Sequence, residues 1–273
     1  MNDPHVEKLY YRVVHGEMVD YDHAEPAAHP FQGFDVQIAR DRVTFTMHEH
    51  FATEIEARDH VEEFVAAWNV WSGLEEGPGM FQLEYLHAEM IDRNPPPGIV
   101  VVLGSGSISV TADAVKLCVS RSRFPAPPGG KFVRSKYVAA MYYQYEGLCA
   151  GRMPHAMVGY FCLTVLESSS GAKPGASKRE AAATKYTIAL KVLNKLGNLT
   201  SEAGGLEARK AVSDHKKGRG AVIAMNRPYT DREREWIKET VRLLTKRLGE
   251  HAARPTETFK KLEMADLPPL KGH

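Results

Sequence analysis

Apolar and polar residues alternate over three short stretches near the start of the chain, KLYYRVV (8–14), FDVQIA (34–39) and RVTFTM (42–47), all rich in β-branched and aromatic residues. Alternation with period two puts every second side chain on one face of a pleated strand, so each stretch predicts a half-buried β-strand. The same character returns in MFQLEYLHAEMI, GIVVVLG and SISVTADAVKLCV. Between the two groups the period changes. Ala57, Val61, Phe64, Trp68 and Trp71 recur at helical spacing, and Thr53 followed three residues later by Glu56 offers a capping box for the first turn. Gly73 and the run Gly77-Pro78-Gly79 are its stop signals. One helix within a mixed set of strands is therefore expected for residues 1–121.

The stretch SRFPAPPGGK (122–131) sustains neither strand pairing nor a helix, because its prolines lack a donor and its glycines lack a side chain to pack. It reads as a linker. Beyond it the period is helical almost throughout, and a bundle of about four long helices is predicted over 132–252. Val138, Met141, Tyr145 and Leu148 mark the first, with Gly151 past its end. Pro154 opens the second, HAMVGYFCLTVLES, which is apolar on all sides and so expected to be central. After the flexible connector SSSGAKPGA, a third has Ser177 and Glu180 at its start, a seam of Ala182, Tyr186, Ala189, Leu193 and Leu196, and Gly197 as its stop. The fourth starts at Thr230 and Glu233 and carries Trp236, Ile237, Val241, Leu244 and Leu248 on one face. Residues 253–273 read as a tail. The fold class is α+β: a strand-rich N-terminal domain with one helix, then a helical bundle.

Composition changes this picture in one respect. The 273 residues carry a net charge of only +1, but the charge is divided: residues 1–125 hold nine Lys/Arg against twenty Asp/Glu, a net of −11, and the remainder holds 26 against 14, a net of +12. A basic C-terminal half points to a polyanionic partner, and the same asymmetry also arises where two halves of opposite sign attract one another. The acidic N-terminal half would offer its own surface to a protein partner. The longest apolar run, MVGYFCLTVL, is too short to cross a bilayer, and no basic start followed by an apolar segment opens the chain, so a cytoplasmic protein without a membrane association is expected. Cys118, Cys149 and Cys162 are scattered without paired spacing, which predicts core thiols rather than a disulfide framework or structural zinc.

The densest cluster of candidate chemistry is LEARKAVSDHKKGRG (206–220), where five residues separate Arg209 from His215 and Lys210, Lys216, Lys217 and Arg219 surround them. Spacing alone decides little. With 18 Arg and 12 His in the chain, an arginine followed by a histidine after four to six residues arises about twice by chance, and it occurs twice, the other pair being Arg42 and His48. A helical bundle with an arginine and histidine so spaced before its last amphipathic helix resembles the HEPN superfamily, many of whose members are metal-independent endoribonucleases in stress or phage-defence systems. Others are RNA-binding or interaction modules without catalysis. The resemblance covers at most residues 131–252 and implies a homodimer that needs neither cofactor nor metal. It departs from the family at Lys210, where a small polar residue is frequent. By this resemblance Arg209 and His215 would be catalytic, and Lys210, Lys216, Lys217 and Arg219 would hold RNA.

The residue types fit that chemistry. Cleavage of RNA without a metal uses its 2′-hydroxyl as nucleophile and needs a base near neutrality and a cation for the charge on phosphorus. A neutral imidazole takes the proton, and a guanidinium holds the phosphoryl oxygens bidentately. A solvated basic loop on a structural bundle accounts for the same residues, and a non-catalytic assembly module is the alternative function. Elsewhere, His48 and His50 in MHEHF would share one face of a strand, where solvent exposure explains them better than a metal does. LGSGSI (103–108) lacks the longer glycine pattern of a phosphate loop and reads as a hairpin turn. Tyr137, Tyr142, Tyr143, Tyr145, Tyr160 and Phe161 are expected in the core or at an oligomer interface rather than as a stacking platform.

Overall fold

A computed structural model describes residues 2–95, 119–202 and 227–270. The chain divides into two compact units, Met1–Gly129 and Gly130–His273. The class is α+β; among the described residues the strands lie in the first unit, and all helices but one lie in the second.

The first unit holds β1 (Pro4–Val14), β2 (Val19–Asp20), β3 (Ala27–Pro30), β4 (Phe34–Ala39), β5 (Arg42–Met47), α1 (Glu54–Glu75), β6 (Gln82–Asp92) and β7 (Val119–Ser120). Five strands form an antiparallel sheet in the order β3-β4-β5-β1-β6, and β2 pairs with β7 in parallel. Alternation does what it predicts. Phe34, Val36 and Ile38 of β4 and Val43, Phe45 and Met47 of β5 turn to one face, where Val61, Val65 and Trp68 of α1 cover them. Thr53 accepts from Glu56 N, and the Glu56 carboxylate accepts in return from Thr53 N at 3.2 Å, so the predicted capping box is closed. The helix runs past Gly73 and stops at Gly77, whose φ of +110° suits a residue without Cβ. Two short strands, β2 and β3, are not legible in the sequence because neither shows two periods of alternation. GIVVVLG, the LGSGSI turn and Cys118 lie outside the described residues.

The second unit holds α2 (Lys136–Cys149), α3 (His155–Ser169), α4 (Lys178–Lys185), α5 (Leu190–Glu202), α6 (Asp231–Ala253) and a 3-10 turn at Met264–Asp266. The second predicted helix, α3, is central: it packs against α2, α4, α5 and α6. Val158, Cys162, Leu163 and Leu166 are buried, and full burial of each aliphatic side chain contributes about 1.5–3 kcal/mol. Gly159 lets the neighbouring helix approach, since a Cβ there would stand 2.8 Å from Thr200 Cγ2 and 3.0 Å from Leu196 Cδ1 of α5. On α6, Gly249 plays the same part for the ring of Phe132.

Four expectations need correction. The third predicted helix is two helices, α4 and α5, broken at Tyr186–Ala189 with Thr187 at φ +52°. The carbonyls freed by the break are taken by Arg247, whose Nη1 donates to Tyr186 O and Thr187 O at 3.1 Å each. Gly197 does not stop a helix but lies inside α5, against the guanidinium of Arg179. The stretch read as a tail packs back onto the bundle: Leu262 N donates to Thr187 O at 3.0 Å, Ala189 N donates to Leu262 O at 2.8 Å, and Leu262 and Leu267 are buried. Cys162 is a core thiol as expected, whereas Cys149 is exposed.

Candidate functional site

Arg209, Lys210, His215, Lys216, Lys217 and Arg219 lie outside the described residues. The described chain stops at Glu202, the end of α5, and resumes at Arg227, just before α6. What the structure does bring together near that resumption is a cavity of about 390 Å³ lined by the loop from α2 to α3 and the start of α6: Arg152, Met153, Pro154, His155, Tyr229 and Arg234, with Gly151 and Pro228.

Each wall has a local cause. Gly151, at φ +68°, turns the chain out of α2, and Arg152 N and Met153 N both donate to Gly147 O, at 2.8 and 3.1 Å. Met153 then folds over Gly147, whose missing side chain leaves the space. Pro154 is the N-cap of α3 and supplies no side-chain acceptor, so the first helical bond is Val158 N to Pro154 O at 3.1 Å. A helix of fifteen residues thus begins at the cavity without a cap on its first N–H groups.

On the other wall, Tyr229 is held from behind by its hydroxyl, which donates to Leu199 O at 3.0 Å. Arg227 and Glu233 neutralise one another through two bonds of 2.6 and 2.5 Å. Glu233 also accepts from Thr230 N at 3.0 Å and completes the predicted capping box of α6. These bonds, the Arg227 guanidinium first among them, hold its carboxyl at about 2, well below the ordinary range, against the opposing effect of burial. Arg227 and Glu233 therefore stand behind the lining, joined at the start of α6, and bring no free charge into the cavity.

The charge left at the cavity is positive. Among the described residues no carboxylate lines it. Arg234 has Asp231 at 3.9 Å, a pair so exposed that it is worth little. Arg152 has Glu146 within Coulombic range, where it opposes the upward push of burial on that carboxyl. His155, the first residue of α3, has its pKa lowered by burial first and then by the charges of Arg234 and Lys238, with Glu235 opposing. Lys238 is itself paired with Glu235 at 2.8 Å. The imidazole is thus neutral near pH 7, with one nitrogen able to accept a proton and the other to donate a hydrogen bond. Two guanidiniums, a neutral imidazole and an uncapped helix start form a setting for an anion, with phosphoryl and carboxylate oxygens both matching a guanidinium fork.

The sequence by itself does not mark these residues as a site. Arg152 and Arg234 are 82 positions apart, and no periodicity links them. The faint signal is GRMPH, where glycine ends one helix and proline opens the next, so that the arginine and histidine between them stand at two helix ends at once.

The histidines of the first unit do not assemble a site. His48 and His50 lie beyond the end of β5 rather than on one face of a strand. His48 Nε2 faces Asp35 Oδ2 at 3.1 Å, and His50 Nε2 faces Asp3 Oδ1 at 3.7 Å, so the two diverge. His60 packs on the rings of Phe34 and Phe51, and His87 stacks on Tyr10. Among the described residues no group of three His, Cys, Asp or Glu is placed to hold a metal ion. The tyrosine series divides as well: Tyr142 and Tyr145 are core, whereas Tyr137, Tyr143 and Tyr160 are exposed. Among the described residues no helix is long and apolar enough to cross a membrane.

Compared with family models, curated proteins and solved structures, the chain matches none.

Proposed function

We propose that this chain acts on RNA through its basic C-terminal unit, as a HEPN-like protein. The observation that carries the reading is the cavity at the start of α3 and α6, which is lined by the guanidiniums of Arg152 and Arg234 and, among the described residues, by no carboxylate. It belongs to the half of the chain with a net charge of +12, and the basic stretch 206–220 precedes α6 in the sequence of the same unit. Phosphate contacts of this kind supply affinity without base readout, so the binding is expected to be strong at low salt and indifferent to sequence.

On this reading Arg209 and His215 carry catalysis, the arginine holding the phosphoryl oxygens while the histidine takes the 2′-hydroxyl proton. The sequence motif supports this step; the cavity supports the binding step. Incubation with total RNA in EDTA tests both. Chelator-resistant cleavage leaving 2′,3′-cyclic phosphate ends is expected, abolished by His215→Ala with binding retained, as for loss of a base worth typically 10²–10⁴-fold. Arg209→Lys keeps the charge and loses the planar fork, so it should fail in cleavage as well. Intact RNA, or full cleavage by His215→Ala, would remove the nuclease and leave a binding protein.

A second reading, an assembly module, is favoured by a different observation. Tyr143 and Met157 are 59% and 46% exposed, with Tyr137 and Tyr160 also exposed on α2 and α3, and large apolar side chains open to solvent on packed helices suit a contact surface where they adjoin. A homodimer formed there would combine the two readings, and light scattering at micromolar concentration distinguishes it from a monomer.

A further inference from the structure

The cavity also has a size and a charge balance, and together they narrow the anion. Its volume of about 390 Å³ exceeds what one phosphoryl group fills and falls in the range of about 300–1,000 Å³ typical of small-molecule sites. The lining supplies two kinds of surface. Arg152 and Arg234 are cationic; Met153, Pro228 and the ring of Tyr229 are apolar or aromatic. The Tyr229 ring stands 6.2 Å from that of His155, tilted by 50°, but Tyr229 is only 7% exposed and its hydroxyl is engaged by Leu199 O, so it backs the wall while Met153 and Pro228 give the wall its apolar surface.

The balance of charge points to a particular phosphate. Arg227 is paired with Glu233 and Lys238 with Glu235, and the two guanidiniums that line the cavity have only weak partners, Arg234 the exposed Asp231 at 3.9 Å and Arg152 the charge of Glu146. A phosphomonoester carries about −1.5 to −2 at neutral pH, matching two guanidiniums, whereas an internal phosphodiester carries a single charge and needs only one. A monoester also has three terminal oxygens, enough for two bidentate forks and a bond from the uncapped start of α3.

We infer that this cavity binds a single nucleotide through its phosphomonoester, with the phosphate between Arg152 and Arg234 and the rest of the nucleotide against the apolar wall of Met153 and Pro228. The nucleotide is either free or the phosphorylated end of an RNA strand, the same chemistry in both cases. In the second case the inference rests on the RNA reading above and specifies which part of the strand enters the cavity.

Calorimetric titration of the full chain tests it, with adenosine 5′-monophosphate, adenosine and inorganic phosphate as probes, and with a short single-stranded RNA bearing a 5′-phosphate, a 3′-phosphate or hydroxyls at both ends. Saturable binding of the monophosphate is expected, with adenosine at least tenfold weaker. Arg152→Gln and Arg234→Gln should each weaken the monophosphate tenfold or more, since each loses charge-assisted bonds, and circular dichroism should be unchanged because both side chains are exposed. Tighter binding of a phosphorylated RNA end than of the free nucleotide assigns the cavity to strand ends; the reverse assigns it to the free ligand. Equal binding of adenosine and its monophosphate, or full affinity in the double variant, overturns the inference. If the double variant loses the nucleotide but keeps RNA with hydroxyl ends, the inference stands and RNA is held elsewhere on the chain. If the parent binds such RNA but not the monophosphate, the inference falls and the RNA reading survives.

Discussion

Glu233 shows how a single carboxylate can carry structural weight beside a site without taking part in it. Its side chain is 7% exposed, it closes the capping box of α6, and it accepts both bonds from Arg227. Its folded pKa of about 2 lies below the ordinary value of 4.5, so it favours the folded state at any pH above about 4.5, and that contribution is lost as pH falls from there toward 2. Glu233→Gln should therefore cost about 1–2 kcal/mol at pH 7, and the difference from the parent should shrink in melts run between pH 4.5 and 2. Equal stability at pH 7, or a gap that persists into acid, would show the carboxylate to be idle. His155 sits on the other wall of the cavity with its pKa lowered, by burial first and then by the charges of Arg234 and Lys238.

At the scale of elements, legibility follows locality. The helices α1 and α6 begin at Thr53 and Thr230 because a hydroxyl and a glutamate three residues later satisfy backbone groups within one turn, and that motif is written in four consecutive residues. The strands β4 and β5 match the alternation in FDVQIA and RVTFTM residue for residue. Where the cause lies far away in sequence, the pattern misleads. The seam from Ala182 to Leu196 continues at helical spacing across Thr187, yet the helix breaks there because Arg247, sixty residues on, and Leu262 take the backbone groups that a continuous helix would have used. Leu262 and Leu267 themselves fit no period and so read as a tail. The cavity is invisible in the sequence for the same reason, being assembled from two helix starts whose nearness only the fold creates.

The close approach of α3 and α5 makes a prediction at the same scale. Gly159→Ala would place a methyl 2.8 Å from Thr200 Cγ2, and relieving that overlap by shifting packed helices costs typically 1–3 kcal/mol. Thermal melts of the variant should fall by several degrees with helical content unchanged below the transition. An unshifted melt would mean that the two helices separate without cost.

Across the whole molecule, the acidic half and the basic half correspond closely to the two compact units, Met1–Gly129 and Gly130–His273. Each unit has a core of its own, in the first the rings of Phe34, Phe45 and Trp68 between sheet and helix, in the second α3 with the helices around it. On the reading proposed above, the basic unit, with Arg152 and Arg234 at its cavity, would attract an anion and the acidic unit would repel one. RNA is therefore expected to engage the second unit and leave the first available for a protein partner.

The most direct test of that account is the affinity for single-stranded RNA across a salt series, measured for the parent and for the Arg152→Gln/Arg234→Gln double variant. Each arginine that neutralises a phosphate releases counterions, so on a plot of log affinity against log salt the variant should lie below the parent, with a slope shallower by about 0.7 for every phosphate left without its arginine. Superimposed lines for the two proteins, or a parent that binds no RNA even at low salt, would contradict it.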